Sequence, residues 1–153
     1  MSRVTRGFQG RRDASADLPP GQYLVHDFPV LSAGPTPRIN LDAWQFTITN
    51  EVGQDYSWTW RDLQQMPRDK PTVDIHCVTK WSKLQTSWEG VSLDTLFEAV
   101  DSGADYALIS SYGGYTTNLP LEDLLDGKAW LVHKFGGEDL TSEHGGPVRL
   151  LVP

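Results

Sequence analysis

From Thr72 onward, apolar and polar side chains alternate along the chain. Val73, Ile75 and Cys77 form one set; Asp74, His76 and Val78 form the other. A two-residue period sends the sets to opposite faces of an extended backbone, so this stretch is a strand. The alternation stops just past Cys77, where Thr79, Lys80, Ser82 and Lys83 bring polarity. The only cysteine of the chain therefore stands at the end of a strand where a loop begins. A side chain held there sits on a rigid element yet reaches a ligand.

Three chemistries suit such a cysteine. It is a small buried hydrophobe, a nucleophile with His76 as its base, or a thiolate bound to a soft transition metal. Adjacent residues of a strand point apart, which counts against the pairing with His76. A single cysteine cannot build a zinc cage of four ligands. It can be the one protein ligand of a metal whose other ligands come from a cofactor.

The chain's 153 residues suit one domain, and 39% hydrophobic residues with six tryptophans supply a core. The formal charge of 13 − 20 = −7, without a basic stripe, argues against nucleic acid or anionic membranes as partners. A lone cysteine excludes an internal disulfide and fits a reducing compartment. No run approaches the ~20 apolar residues of a membrane span. Arg11-Arg12 is followed by Asp13-Ala-Ser-Ala-Asp17-Leu-Pro-Pro, without an apolar segment, so no export signal is expected and the location expected is cytoplasmic.

Residues 1–21, polar and rich in Arg, Asp, Gly and Pro, read as an N-terminal arm in which Arg3, Arg6, Arg11 and Arg12 form a solvated basic cluster. Residues 22–153 form the domain. Tyr23–Leu31 is a short apolar surface segment broken at Ser32-Ala-Gly-Pro-Thr-Pro37. Trp44, Phe46 and Ile48 alternate with Gln45, Thr47 and Thr49 as a half-buried strand, turned by Asn50–Gly53. Thr59, with Asp62 three residues on, caps a short helix that Pro67 limits. Leu93, Leu96, Phe97 and Val100 follow helical spacing behind a Ser92 cap. Tyr106–Ser111 is a strand, Pro120 opens a helix through Leu121, Leu124 and Leu125, and Ala129–Phe135 is a strand. Gly136-Gly137 fits a hairpin turn, and Leu150–Val152 is a last strand. Strands and helices mix without strict βαβ alternation, so the fold class is α+β with mixed sheets and short helices.

Cys77-Val-Thr-x-Trp81 followed by Trp88-Glu-Gly-Val resembles the molybdenum-binding segment of the sulfite oxidase family. The similarity is greatest to sulfite-oxidase-like bacterial oxidoreductases with the molybdopterin-binding domain, and it runs from about Gly21 to Pro153. The resemblance implies that Cys77 ligates molybdenum while a pterin dithiolene supplies further sulfurs. His144-Gly-Gly-Pro-Val-Arg149 matches the family's His/Asn-Gly-x-Pro-x-Arg run, which implies cofactor contacts from His144 and Arg149. An arginine suits a phosphate because its planar fork matches the anion. The same resemblance implies pterin contacts from His26, Pro29, Val30 and Ser111, and a substrate mouth lined by Trp81 and Tyr115.

By this resemblance the chain is a Mo-molybdopterin oxidoreductase performing two-electron oxygen-atom transfer on a small-molecule substrate. A cofactor-free binding module and a thiol hydrolase using Cys77 are the alternatives. The resemblance leaves room for an electron-transfer partner; the expected state is a monomer. The sulfite oxidases proper carry arginines just past the metal cysteine, whereas Val78-Thr-Lys-Trp81 leaves only Lys80 and Lys83 as nearby cations, so sulfite is a doubtful substrate. Relatives continue past the equivalent of Pro153 with an aromatic residue and a phosphate-binding lysine, so the C-terminal part of the domain is expected to be missing.

Overall fold

The strand Trp81–Ser92, twelve residues long, carries the largest sheet. The structure, a computed structural model, describes residues 17–153. The basic cluster and most of the expected arm lie outside the described residues.

In chain order the described elements are β1 (Tyr23–Leu24), β2 (Gln45–Thr49), β3 (Asp55–Thr59), α1 (Trp60–Gln65), β4 (Thr72–His76), β5 (Trp81–Ser92), α2 (Leu93–Phe97), β6 (Tyr106–Ser110), β7 (Thr116–Pro120), β8 (Trp130–Phe135), β9 (Glu138–Asp139) and β10 (Arg149–Leu151). The six-stranded sheet runs β1-β5-β8-β10, with β4 added on β5 and β9 on β8. β1 pairs with β5 in parallel and the other pairings are antiparallel. Two hairpins, β2-β3 and β6-β7, form separate two-stranded sheets. The α+β class holds.

Local chemistry sets several of these boundaries. Thr59 and Asp62 close a reciprocal capping box at the start of α1: the Thr59 hydroxyl accepts from Asp62 N–H, and the Asp62 carboxylate accepts from Thr59 N–H at 2.8 Å. Ser92 caps α2 through Asp94 N–H. Gly136 and Gly137 both adopt positive φ, which the tight β8-β9 turn requires. Pro120 differs from expectation. It ends β7 and precedes only a single 3-10 turn, Leu121–Asp123, because Leu121 N–H donates to Asp105 O and ties the chain to the start of β6. After Ser110 the chain turns back and Thr116–Pro120 pairs with β6.

Two apolar clusters fill the interior. The larger joins Trp44, Trp58, Leu63, Val91, Leu93, Leu96, Leu124, Ala129 and Leu131 beneath the helices. The smaller joins Trp88, Val132, Leu140 and Leu151, with Phe28, Val73, Ile75, Trp130 and Phe135 packed against it. β5 and β8 serve both. They cross so closely at a bulge that a Cβ on Gly90 would fall on the Leu131 carbonyl and the Val132 backbone. Among the described residues, no helix is long and apolar enough to cross a membrane.

Candidate active site

Cys77 follows the last residue of β4 and is half-buried with a free thiol. Cys77 N–H donates to Trp81 O at 2.8 Å and Lys80 N–H donates to Cys77 O at 2.9 Å. These bonds close a three-residue hairpin loop, Val78–Lys80, in which Lys80 takes φ 75°. A left-handed third residue is what such a loop needs. The loop turns Thr79 back so that its hydroxyl donates to Cys77 Sγ at 3.1 Å.

The reading of Cys77 as a nucleophile activated by His76 finds no geometry here. Ser82, fully buried, donates to Gln22 Oε1 at 3.2 Å. With its one proton used, Ser82 Oγ accepts from His76 Nδ1 at 2.7 Å. Gln22 Nε2 then donates to the Cys77 carbonyl at 3.1 Å. His76 thus anchors the strand ends and makes no hydrogen bond to the sulfur.

Parallel pairing of Tyr23 with Trp81 and Leu24 with Ser82 lays the early segment beside the start of β5. That placement carries Phe28 into the middle of a ring cluster. Its centroid lies 6.3 Å from Trp81, 5.9 Å from Trp88, 5.0 Å from Phe135 and 4.2 Å from His144. The Arg149 guanidinium sits over Phe28 at 5.7 Å and over Trp88 at 5.6 Å, within cation–π range.

Arg149 opens β10 just after the Gly145-Gly146-Pro147 loop. Gly145 has φ 91°, and a Cβ there would come 3.1 Å from Arg149 Cβ; a Cβ on Gly146 would fall on the Leu140 carbonyl. Both glycines therefore allow close backbone approach. Arg149 Nη1 donates to His144 O at 3.1 Å, and among the described residues no carboxylate pairs with it. Burial pushes its pKa below the usual value, and the nearby Cys77 sulfur pushes it back up. The side chain stays a cation in either case. His144 and Arg149 are thus neighbours, and the Cys77 sulfur lies within electrostatic reach of the guanidinium.

The remaining sequence candidates fall in different settings. His26 is exposed and its carbonyl accepts from Lys83 Nζ. Pro29 is half-buried and Val30 is half-exposed, both next to Phe28. His144 spends both ring nitrogens internally, on Thr141 Oγ1 and on Phe28 O, each at 3.1 Å. Trp81 departs from its expected place at an open mouth. It is 7% exposed beneath Phe28, because β1 pairs alongside it, and its indole N–H has no partner among the described residues. Ser111 and Tyr115 stand at the β6-β7 hairpin tip, where Ser111 N–H donates to Tyr115 O at 2.9 Å. That tip is tied to β2, since Tyr112 OH donates to Gln45 O and accepts from Gln45 N–H. Among the described residues, no hydrogen bond or ring contact joins Ser111 or Tyr115 to Cys77 or Arg149.

Sequence reasoning does not reach Phe28, Thr79, Gln22 and Trp88 as site residues. Thr79 and Trp88 have a local signal, since both stand in the segment that carries the resemblance.

Residues 33–153 match the family described as the oxidoreductase molybdopterin binding domain. The chain is 36% identical over 144 residues to the uncharacterized oxidoreductase YuiH of Bacillus subtilis, covering 92% of this chain and 73% of that protein. It is 23% identical over 118 residues to the putative protein-methionine-sulfoxide reductase subunit YedZ1 of Azospira oryzae, covering 76% of this chain and 45% of that protein. Its fold is similar to the sulfane dehydrogenase SoxCD of Paracoccus pantotrophus, with a TM-score of 0.64 and 22% identity over 77% of this chain and 36% of that one. The chain belongs to the oxidoreductase molybdopterin-binding domain family, in its sulfite-oxidase-like branch, and its cofactor is Mo-molybdopterin.

Proposed function

We propose that this domain catalyses two-electron oxygen-atom transfer on a small substrate at a molybdenum held by Cys77. The observation that carries this reading is a half-buried thiol whose charge acts on a half-buried guanidinium that has no carboxylate partner among the described residues. Partial burial of a cation without a counter-ion is costly, and an anionic group in the site relieves that cost. A thiolate suits a soft metal. The unpartnered Trp81 N–H is a further orphan donor beside the site, and buried donors ordinarily have partners. The residues present therefore fit a thiolate-ligated metal on an anionic organic cofactor.

When bound, Mo-molybdopterin supplies the two-electron redox centre. The chain's own residues hold and enclose it. Cys77 would anchor the metal, Arg149 would offer its remaining N–H groups to an anionic oxygen, and Gly145-Gly146 permits close backbone approach. Phe28 and Trp88 flank the guanidinium and exclude water from it. His26, Pro29, Val30, Ser111 and His144 are assigned to the pterin on the family resemblance and Tyr115 to the substrate side, while Trp81 supports the site from beneath Phe28. His144 contributes by fixing the Gly145–Arg149 segment, since its ring nitrogens are engaged elsewhere.

Lys80 and Lys83 are the only cations just past Cys77, and the amine of Lys83 is engaged with the His26 carbonyl. An S-oxide or N-oxide, being neutral, suits this surrounding better than sulfite. The name of the YedZ1 relative, a sulfoxide reductase subunit, agrees with that preference. Electrons would come from a separate redox partner.

Cys77→Ser is expected to abolish catalysis and alter the molybdenum spectrum while leaving the fold intact. Full turnover with an unchanged spectrum would falsify the assignment. Steady-state assays with sulfite and with small S-oxides test the substrate class: efficient sulfite oxidation at micromolar substrate refutes the preference.

A further inference from the structure

Thr79 is exposed, so its hydroxyl is free to bond water. It turns instead to Cys77 Sγ at 3.1 Å and makes no other hydrogen bond among the described residues. The loop that holds it there carries a strain of its own, because Lys80 sits at φ 75°, a region costly for a side chain with a Cβ. A neutral thiol is a weak acceptor, whereas a hydroxyl bonded to a thiolate makes a shorter and stronger, charge-assisted bond. A sulfur that carries negative charge, as a metal ligand does, is therefore the partner that gains most from this hydroxyl.

We propose that Thr79 is a positioning residue that sets the donor strength of the Cys77 sulfur toward the metal. The inference rests on the reading of Cys77 as the ligand. A hydrogen bond to a ligating thiolate draws charge from sulfur and away from the metal. The more reduced metal is then relatively favoured, and the reduction potential rises; bonds to ligand sulfur are an established lever on such potentials. The same bond lowers the energy of the sulfur lone pairs and so raises the energy of sulfur-to-metal charge transfer. A residue that served only to close the turn would move neither quantity.

The test uses the holoprotein with Thr79→Val, Thr79→Ala and Thr79→Ser. Valine keeps the branched shape and removes the donor; alanine removes the donor without the branch; serine keeps the donor. The absorption of the molybdenum centre and its midpoint potential are measured, with Cys77→Ser as reference. Valine and alanine are expected to shift the charge-transfer band to lower energy and the midpoint to more negative potential, and serine to stay with the wild type. If Cys77→Ser removes the band while valine and alanine leave band and potential at wild-type values, the role of Thr79 is overturned and the ligand stands. If Cys77→Ser leaves the band intact, the ligand assignment itself fails, and the inference falls with it. Should valine disturb the loop, seen as altered thermal unfolding, the alanine variant decides alone.

Discussion

His144 and Phe28 are joined twice. Their rings stack at 4.2 Å with 24° between planes, and His144 Nε2 donates to the Phe28 carbonyl at 3.1 Å. A carbonyl only accepts, so the proton is on Nε2, and in the neutral ring Nδ1 accepts from the Thr141 hydroxyl. One imidazole thus ties the segment after β1 to the loop before β10. Phe28 in turn supports Trp81, Trp88, Phe135 and the Arg149 guanidinium.

Removing that tie has a measurable consequence. His144→Ala loses two neutral hydrogen bonds, at about 0.5–1.5 kcal/mol each, and a stacked ring pair. We expect a loss of about 2–3 kcal/mol, or roughly 2–4 °C of Tm per kcal/mol in a domain of this size, read by denaturant unfolding. Proteolysis within residues 25–31 should quicken with it. Unchanged cleavage there would show that Phe28 is held by its other ring contacts.

Part of this arrangement is legible in the sequence and part is not, for physical reasons. β4, the capping box of α1, the Ser92 cap and the Gly136-Gly137 turn are written in neighbouring residues, and local chemistry decides them. β5 is hidden because its neighbours change along its length. It meets β1 and β4 early and β8 late, so its burial follows no single period. β1 is two residues long and takes its identity from the strand it pairs with. Cys77, His144 and Arg149 are nameable because they stand in short motifs. Phe28 is not, because its ring partners lie between Trp81 and His144, far along the chain.

Arg149 separates two kinds of energy. Arg149→Gln removes the unpaired cation, and a hydrogen bond to a charged group contributes about 1.5–3 kcal/mol. Cofactor affinity should therefore fall roughly ten- to a hundredfold, at 1.4 kcal/mol per tenfold. Without cofactor the sign reverses: the substitution relieves a half-buried charge that has no carboxylate partner among the described residues and should leave stability equal or higher. Arg149→Lys should not restore affinity, since it lacks the planar fork. Molybdenum content and the unfolding of cofactor-free protein check both halves; a cofactor-free domain that the glutamine destabilises would refute the reading.

Gly90 tests the crossing of β5 and β8. A Cβ there meets the Leu131 carbonyl, the Leu131 carbonyl carbon and the Val132 Cα, all backbone atoms. Overpacking ordinarily costs about 1–3 kcal/mol, and because no side chain can yield here we expect about 3 kcal/mol or more for Gly90→Ala. Gly34, with nothing near its would-be Cβ, is the control: Gly34→Ala should stay within about 0.5 kcal/mol. Equal unfolding curves for the two variants would mean that the strands separate at little cost.

His133 lies in the β8 segment opposite that bulge, 3% exposed, with neither ring nitrogen bonded among the described residues. Its ring meets the Trp60 edge at 5.9 Å. Burial pushes its pKa below the ordinary 6.5; Arg68 and Lys134 push it further down, while Glu89 and Asp139 pull it back up. The folded state therefore binds this proton less readily than the unfolded chain. Stability is whole above about pH 6.5 and declines as pH falls from there toward the lower folded pKa, because the unfolded state takes up the proton first. His133→Phe keeps a ring against Trp60 and removes both unpaired nitrogens. It should gain about 1 kcal/mol near pH 7.5, as unsatisfied buried groups cost about 1–3 kcal/mol, and its advantage over the wild type should widen as pH falls below 6.5. Acid-sensitive groups not coupled to His133, Asp62 and Asp94 among them, act in both proteins and cancel to first order in the difference. Unfolding curves recorded from pH 5 to 8 give that difference directly, and two stability profiles that run parallel across the range would show that His133 finds its proton, or a partner, in the folded state after all.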